Sequence, residues 1–289
     1  MTTNLKPILT MAALFLAVVL IWQIASITGF AGSQIRPANV TVSNSVPTAG
    51  PITCTNPIAP TACANITESC WVLINDDNGQ GDIASWTGEL YDSGAQPGGC
   101  TAEVADKCYV GSCTNVSYNS TAYNLTCTYN FRYFARDAEI NWTARINVTD
   151  KNPSTGSNTN TALTVTNLTA IDVTQTYLDF GTLSVGQQSS AVTTTVQNCG
   201  NFNMSVSVSG TNLPCNSQGT INVGNMTYNA TSTLPGTNLT ASNVASGLDV
   251  LKATADTGSS SSLYWWIKIP TGVKGVCSGN VTFTANRDT

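Results

Sequence analysis

The feature that most constrains this chain is a two-residue alternation of apolar and polar side chains after residue 36. In FNMSVSVS, residues 202–209, every second side chain is apolar. NWTARINVT (141–149) and NVTFTA (280–285) repeat the pattern, and no later segment shows the 3.6-residue period of an amphipathic helix. Such alternation is typical of antiparallel strands with one face on a core. Parallel sheets would need helices between strands, so the sequence predicts an all-β protein built from antiparallel sandwiches.

The polar segment DKNPSTGSNTNT divides the strand-rich part of the chain and is rich in turn residues. A length of 289 residues suffices for a terminal segment and about two domains. We therefore expect a signal anchor or transmembrane segment at 1–34, a first sandwich with disulfides at 35–150, a linker at 151–161 and a second sandwich at 162–289.

An uncharged, mostly apolar run of 24 residues extends from Ile8 to Ala31. A bilayer core needs about 20 such residues, whereas the apolar part of a cleavable signal has about 7 to 15. Length therefore favours one transmembrane helix that anchors the protein in the cell membrane, single-pass, with the C-terminal part extracellular. The small residues Gly29 and Ala31 support the alternative, a cleaved signal.

All ten cysteines follow this run, and an even number in an exported chain predicts disulfides. Seven lie in the first unit and three in the second. Two odd numbers mean that a disulfide links the units, that the boundary is misplaced, or that a cysteine pairs between molecules. Cys54–Cys63 and a pair among Cys100, Cys108 and Cys113 are candidate local disulfides. The remaining candidates are Cys70, Cys127, Cys199, Cys215 and Cys277.

Thirteen Asn-x-Ser/Thr triplets make the chain a candidate glycoprotein. Three of them fall within NVSYNSTAYNLTC, residues 115–127, which we interpret as a loop running into a strand on a glycan-tolerant surface. The candidate asparagines are Asn39, Asn65, Asn115, Asn119, Asn124, Asn141, Asn147, Asn167, Asn203, Asn225, Asn229, Asn238 and Asn280.

Charge and residue types argue against several functions. A net charge of −5 with 11 scattered Lys and Arg lacks the basic stripe of a nucleic-acid-binding protein. The chain has no His, which removes the commonest general base and a common zinc ligand, so we expect neither an enzyme nor a cofactor. LINDDNGQGDI offers weak calcium candidates, Asp76, Asp77, Asn78 and Asp82. An ordinary polar turn explains them better, so no metal is expected.

Cys70, Trp86 and Cys127 lie on the apolar phases of three separate predicted strands. Their order, with Trp 16 residues and the second Cys 57 residues after the first, resembles the inter-sheet disulfide of immunoglobulin domains on its core Trp. The resemblance implies a Cys70–Cys127 disulfide and an Ig-like sandwich. Leu125 stands where a tyrosine corner would place Tyr, so the resemblance is to the architecture rather than to true immunoglobulin domains.

Residues 177–210 contain a Leu-x-Phe-Gly strand, a Gly-containing turn, a Val-rich strand and an Asn-x-Gly corner. This order resembles Ig-like domains of the abnormal-spindle/Hydin type, and residues 262–285 resemble their closing hairpin. The whole chain resembles archaeal cell-surface proteins with tandem Ig-like β-sandwich domains. The residues that carry the second-unit resemblance are Leu178, Phe180, Gly181, Gly186, Val192, Val196, Asn198 and Gly200.

These observations predict a membrane-anchored extracellular glycoprotein with a structural or adhesive role in the cell envelope. One alternative is a subunit of an S-layer-like sheet or of a strand-donation filament, in which residues 35–47 complete a neighbour's sheet. Another is a secreted carbohydrate-binding module, for which Trp265 and Trp266 would place one indole on the surface. The expected partners are the membrane, a surface protein or glycan, or other copies of the chain, and not nucleic acid.

Overall fold

The computed structural model describes residues 6–27, 36–136 and 141–288. It divides into an N-terminal unit, Met1–Ser43, and a compact unit, Asn44–Thr289. The N-terminal unit contains the one helix of more than a single turn in the described ranges, α1 (Lys6–Ile27). Within these three ranges, no helix combines the length and the apolar character that crossing a membrane requires. The small residues of the predicted cleavage site, 29–31, lie outside the described residues.

The compact unit is all-β and contains two hydrophobic cores, which define a first lobe (44–165) and a second lobe (166–288). Eight antiparallel strands of the first lobe form one sheet in the order β1-β3-β6-β5-β4-β7-β8, with β2 beside β3. These strands are β1 (Thr48–Ala49), β2 (Thr53–Cys54), β3 (Ile66–Asn75), β4 (Ile83–Asp92), β5 (Cys108–Ser117), β6 (Ala122–Phe131), β7 (Trp142–Asp150) and β8 (Thr155–Leu163).

The sheet of the first lobe curls until its two edges meet. On edge strand β8, the Asn158 side chain donates to the carbonyl oxygens of Ala49 and Gly50 at 3.0 and 2.8 Å. Asn160 donates in the same way to the carbonyl of Ile52 at 3.1 Å. Since unpaired strand edges are sites of unwanted association, these side chains close the lobe as a sandwich-like layer around its core.

The predicted linker at 151–161 is not a linker. Most of it belongs to β8, which pairs with β7 along almost its whole length. Asn158 and Asn160 bond the backbone of the opposite sheet edge instead of entering the core. Because such polar residues are also typical of turns, the segment resembles a turn in sequence. Both lobes therefore lie in one compact unit, and residues 164–170 connect β8 to the first strand of the second lobe.

The predicted alternation is confirmed in the first core. On β7 the side chains of Trp142, Ala144 and Ile146 are fully buried. Trp142 stacks on Tyr109, with ring centroids 5.7 Å apart, and meets Phe131 at 5.2 Å. Aromatic contacts of this kind stabilise a core beyond the area that they bury.

The second lobe contains a five-stranded sheet, β15-β14-β17-β10-β9, a three-stranded sheet, β16-β11-β18, and the hairpin β12-β13. The two larger sheets enclose the second core, as in a sandwich. The strands are β9 (Ile171–Val173), β10 (Val192–Asn198), β11 (Met204–Gly210), β12 (Leu213–Pro214), β13 (Thr220–Ile221), β14 (Met226–Asn229), β15 (Thr237–Asn238), β16 (Val244–Val250), β17 (Ser260–Ile267) and β18 (Val281–Arg287).

Of the segments that resembled abnormal-spindle/Hydin-type domains, the corner is present, whereas the first strand and the closing hairpin are not. The Asn-x-Gly corner joins the two sheets: buried Asn198 donates to the carbonyls of Phe202 and Val250 at 2.9 and 3.0 Å and accepts the Gly200 amide at 2.8 Å. The Leu-x-Phe-Gly segment has no ladder partner and is not a strand. The predicted closing hairpin at 262–285 is wrong, because β17 and β18 belong to different sheets.

All ten cysteines form disulfides: Cys54–Cys70, Cys63–Cys199, Cys100–Cys108, Cys113–Cys127 and Cys215–Cys277. The implied Cys70–Cys127 disulfide is wrong, because these residues face each other on neighbouring strands of one sheet instead of spanning two sheets. The candidate Cys54–Cys63 is also wrong. The pair Cys100–Cys108 is confirmed. Of the three explanations for the odd cysteine counts, the structure shows the first: the disulfide Cys63–Cys199 joins the two lobes.

Charged contacts and a small apolar cluster accompany the disulfide that joins the lobes. Arg132 of the first lobe bonds Asp256 of the second at 3.2 Å, and Lys252 bonds Asp106 at 3.3 Å. Buried Phe134 packs with residues of the second lobe in a third hydrophobic cluster. The two lobes are therefore connected by a disulfide, by ion pairs and by apolar contacts in addition to the chain itself.

Candidate functional site

A cleft of about 650 Å³ opens in the second lobe between two stretches of chain, 175–185 and 273–283. Its floor is apolar and belongs to the second core. The floor residues are Leu213, Ile221, Met226 and Ile267.

One wall of the cleft is an extended segment, residues 174–183, that forms no ladder with any strand of the described chain. It is held by its side chains, since half-buried Leu178 and Phe180 pack against the second core. The residues that alternate with them, Tyr177 and Asp179, are exposed, and Tyr177 is 74% exposed. Gly181, directly after Phe180, has a φ of 71°, a left-handed conformation that favours glycine.

The opposite wall contains β18, the last strand of the three-stranded sheet. Within the described residues its one ladder partner is β11, so its other edge is unpaired. Val281 and Phe283 of β18 line the cleft, and Phe283 packs edge-on against Trp265 with ring centroids 5.7 Å apart. An apolar floor beside an unpaired strand edge is the arrangement that accepts an added strand.

The exposed indole expected from the Trp265–Trp266 pair is absent. Trp265 is fully buried and donates to the Thr194 hydroxyl at 3.0 Å. Trp266 is only 4% exposed although it points to the other face of β17. Both faces of this central strand are covered, so the pair offers no platform for a sugar.

Two of the four weak calcium candidates come together, and a residue that the sequence did not suggest joins them. One carboxylate oxygen each of Asp76, Asp82 and Asp150 lies within 4.8 Å of the other two. Asp77 is not part of the cluster and accepts a hydrogen bond from the Asn75 side chain at 3.2 Å. Asn78 is exposed, and its backbone amide donates to Asp76 within the turn. Since β4 and β7 pair with Ile83 opposite Asp150, the strand register brings Asp150 to the turn.

Hydrogen bonds at this cluster favour the ionised form of Asp150. The Asn44 side chain donates to Asp150 at 2.7 Å, and the Ser154 amide donates at 2.8 Å. These donors hold the pKa of Asp150 below its ordinary value, with Asn44 as the largest cause.

None of the thirteen candidate glycosylation asparagines is buried: ten are exposed and three are half-buried. The half-buried ones use the nitrogen to which a glycan would attach. Asn147 donates it to the Thr87 hydroxyl, Asn225 to a carbonyl on Lys268, and Asn229 to the carbonyl of Thr233. The predicted surface stretch 115–127 forms the ends of β5 and β6 and the turn between them.

No protein-family model and no curated protein matches the chain. Among solved structures, a chaperone–tip adhesin complex of CFA/I fimbriae biogenesis is similar over 84% of this chain and 85% of that one, at 13% identity and a TM-score of 0.32. An enterococcal surface protein, partial N-terminal region, is similar over 83% and 88%, at 9% identity and a TM-score of 0.22. Likeness at this level does not assign the chain to a family.

Proposed function

We propose that this is an exported, non-catalytic protein with an extracellular structural or adhesive role. The observation that carries the proposal is the use of all ten cysteines in disulfides, with no free thiol in the described chain. Disulfides persist in oxidising surroundings outside the cytosol. Peptide mapping without reductant, on protein isolated from its native cells, should return the five pairs. Free thiols throughout would contradict export.

For the N-terminal segment we propose a role in export, as a retained anchor or as a cleaved signal. Its residues 10–22 are exposed and, apart from Thr10, apolar; they include Leu14, Phe15 and Leu16. Such side chains favour a lipid environment over water. N-terminal sequencing of the mature protein separates the anchor, which keeps residues 8–27, from the signal. The resemblance to archaeal cell-surface proteins and to Ig-like domains stays a prediction, supported by the Asn198 corner.

As the mode of association we propose strand addition at the cleft of the second lobe. The occupant is the donor segment, residues 37–43 of a second copy. Val40 and Val42 in it are 87% and 76% exposed and alternate with polar residues. Its seven residues equal the length of β18, Val281–Arg287. A strand beside β18 would turn both valines to the apolar floor and pair the unpaired edge.

The predicted donor of 35–47 is shortened by the structure. Asn44 is bonded to Asp150, and β1 at Thr48 and Ala49 pairs with β3. Residues from 44 onward therefore belong to the first lobe, and of the predicted donor the part before Asn44 is available, which includes 37–43.

A labelled peptide of residues 37–43 tests strand addition directly. The acceptor is the full chain with Val40→Asp and Val42→Asp, made without N-glycans, so that its own donor is disabled and its cleft is intact. We expect saturable binding by fluorescence anisotropy and slower amide hydrogen exchange over 281–287. A control peptide with both valines changed to Asp should not bind. Equal binding of both peptides, or protection elsewhere, would contradict the proposal.

A further inference from the structure

Three carboxylates meet at one end of the first lobe, where three separate parts of the chain come together. Asp76 follows β3, Asp82 lies in the short 3-10 turn Gln80–Asp82 before β4, and Asp150 ends β7. Their nearest oxygens lie within 4.8 Å of one another. Carboxylates held this close repel one another unless a cation or protons offset the charge.

Asp76 shows that the cluster is incomplete without a ligand. Its side chain is 1% exposed, and its Oδ2 atom has no hydrogen-bond partner in the described structure. The other oxygen, Oδ1, accepts the Asn78 amide at 2.8 Å. A buried carboxylate oxygen without a partner is costly, and native proteins satisfy such atoms with a donor, a water or an ion.

The chemistry of the site selects a hard cation. Every ligand is an oxygen, and the hydrogen-bond donors that reach Asp76 and Asp150 are neutral. They are the backbone amides of Asn78, Asn152 and Ser154, the Ser154 hydroxyl and the Asn44 side chain. Calcium prefers carboxylate oxygens at about 2.3 to 2.6 Å, so oxygens on opposite sides of the ion are about 4.6 to 5.2 Å apart. The observed spacing lets one ion contact all three carboxylates.

We propose that Asp76, Asp82 and Asp150 bind one calcium ion. The ion joins the turn after β3 to the end of β7. Because Asn44 bonds Asp150, the ion also stiffens the point where the N-terminal segment enters the first lobe. This site is independent of strand addition, and neither proposal requires the other.

Thermal unfolding of the full chain in 10 mM CaCl2 and in EGTA tests the site. Extracellular calcium modules bind in about the 0.1 to 1 mM range, so we expect the midpoint to rise by about 3 to 10 °C with calcium. Titration calorimetry should give one site per chain. The same concentration of MgCl2 should raise the midpoint much less; an equal rise would overturn the assignment to calcium.

Asp76→Asn separates metal binding from a structural role of this carboxylate. The variant should lose the calcium-dependent rise and yet unfold at a higher temperature than the wild type in EGTA, because it relieves repulsion. Asp77→Asn is the matched control, one residue away and exposed, and should keep the full rise. Half-buried Asp82→Asn should repeat the loss if Asp76→Asn does not fold. A wild type indifferent to calcium, or a variant that keeps the rise, would overturn the proposal.

Discussion

The two lobes treat their sheet edges in opposite ways. In the first lobe, Asn158 and Asn160 on β8 bond the backbone near β1, and the sheet closes on itself. In the second lobe, β18 keeps one unpaired edge, and residues 174–183 lie across the cleft from it without a ladder. An edge that a protein leaves open is a template for another strand. The first lobe thus closes its sheet within one chain, whereas the second leaves the edge to which we propose that a strand is added.

The disulfides follow the same division. Three lie within the closed first lobe, one lies within the open second lobe, and one, Cys63–Cys199, joins the lobes. The single disulfide of the second lobe, Cys215–Cys277, connects the β12–β13 hairpin to the chain before β18, beside the cleft. Together with backbone hydrogen bonds between Gln218 and Lys274, it holds this cleft wall in place.

The largest effect is expected from removing the disulfide between the lobes. It spans 136 residues, against 8 for Cys100–Cys108. The chain-entropy model then gives losses of about 5 kcal/mol for Cys63→Ser with Cys199→Ser and about 2.5 kcal/mol for Cys100→Ser with Cys108→Ser. Urea unfolding without reductant measures both. A smaller loss for the long-range pair would show that the other contacts between the lobes suffice.

Asn198→Ala should cost about 3 kcal/mol and should act on the second lobe. The change leaves the Phe202 and Val250 carbonyls and the Gly200 amide without a partner in a buried corner. Asn238→Ala, at an exposed position, is the control and should change the unfolding free energy little. If the two variants unfold alike, the corner is not what holds the two sheets together.

Gly88→Ala tests the closed lobe and should cost about 1 to 3 kcal/mol by overpacking. A Cβ atom at Gly88 would lie 2.7 Å from the Cys127 sulfur and 2.9 Å from the Cys113 sulfur. Gly81→Ala is the matched control, because a Cβ there meets nothing within 4 Å. Thermal unfolding compares the two; equal midpoints would mean that the sheet relaxes around the disulfide.

The smallest effect concerns pH and the start of the first lobe. Because the pKa of Asp150 is lowered in the folded state, its stabilising contribution is present above the unfolded pKa, about 3.9, and is lost as the pH falls through the folded value. Asn44→Ala removes the largest cause of that lowering. In EGTA, its loss of stability relative to the wild type should be clear at pH 7 and should shrink as the pH falls below about 3.9. A difference that persists at low pH would mean that Asn44 acts by packing alone.

Strands with a buried face could be predicted from the sequence. Alternation identified β7, β11 and β18: β7 and β11 bury every second side chain, and β18 half-buries Val281 and Phe283. β8 could not be predicted, because its residue types are those of a turn. Its side chains Asn158 and Asn160 bond the opposite sheet edge and do not enter the core. The segment 174–183 was wrongly predicted as a strand for the opposite reason. Leu178 and Phe180 alternate as in a strand and pack on the core, yet the backbone forms no ladder.

Long-range pairing limited the prediction of the candidate sites. Asp76 and Asp82 are close in sequence, but Asp150 reaches them only through the register of β4 and β7. Cys70 and Cys127 were correctly placed on inward-facing positions, but the sequence does not show that their strands are neighbours in one sheet. Apolar periodicity reports which face is buried and not which strand lies beside it.

The most direct test of strand addition is the mass of the oxidised full chain, made without N-glycans and measured by light scattering in mild detergent. Strand addition predicts concentration-dependent assemblies larger than one chain for the wild type, and a single chain for Val40→Asp with Val42→Asp. Thr41→Asp with Ser43→Asp, which adds the same charge to the other face of the donor segment, should still assemble. A wild type that stays at the mass of one chain, or a valine variant that assembles equally well, would contradict the claim that the open lobe receives a strand from a second copy.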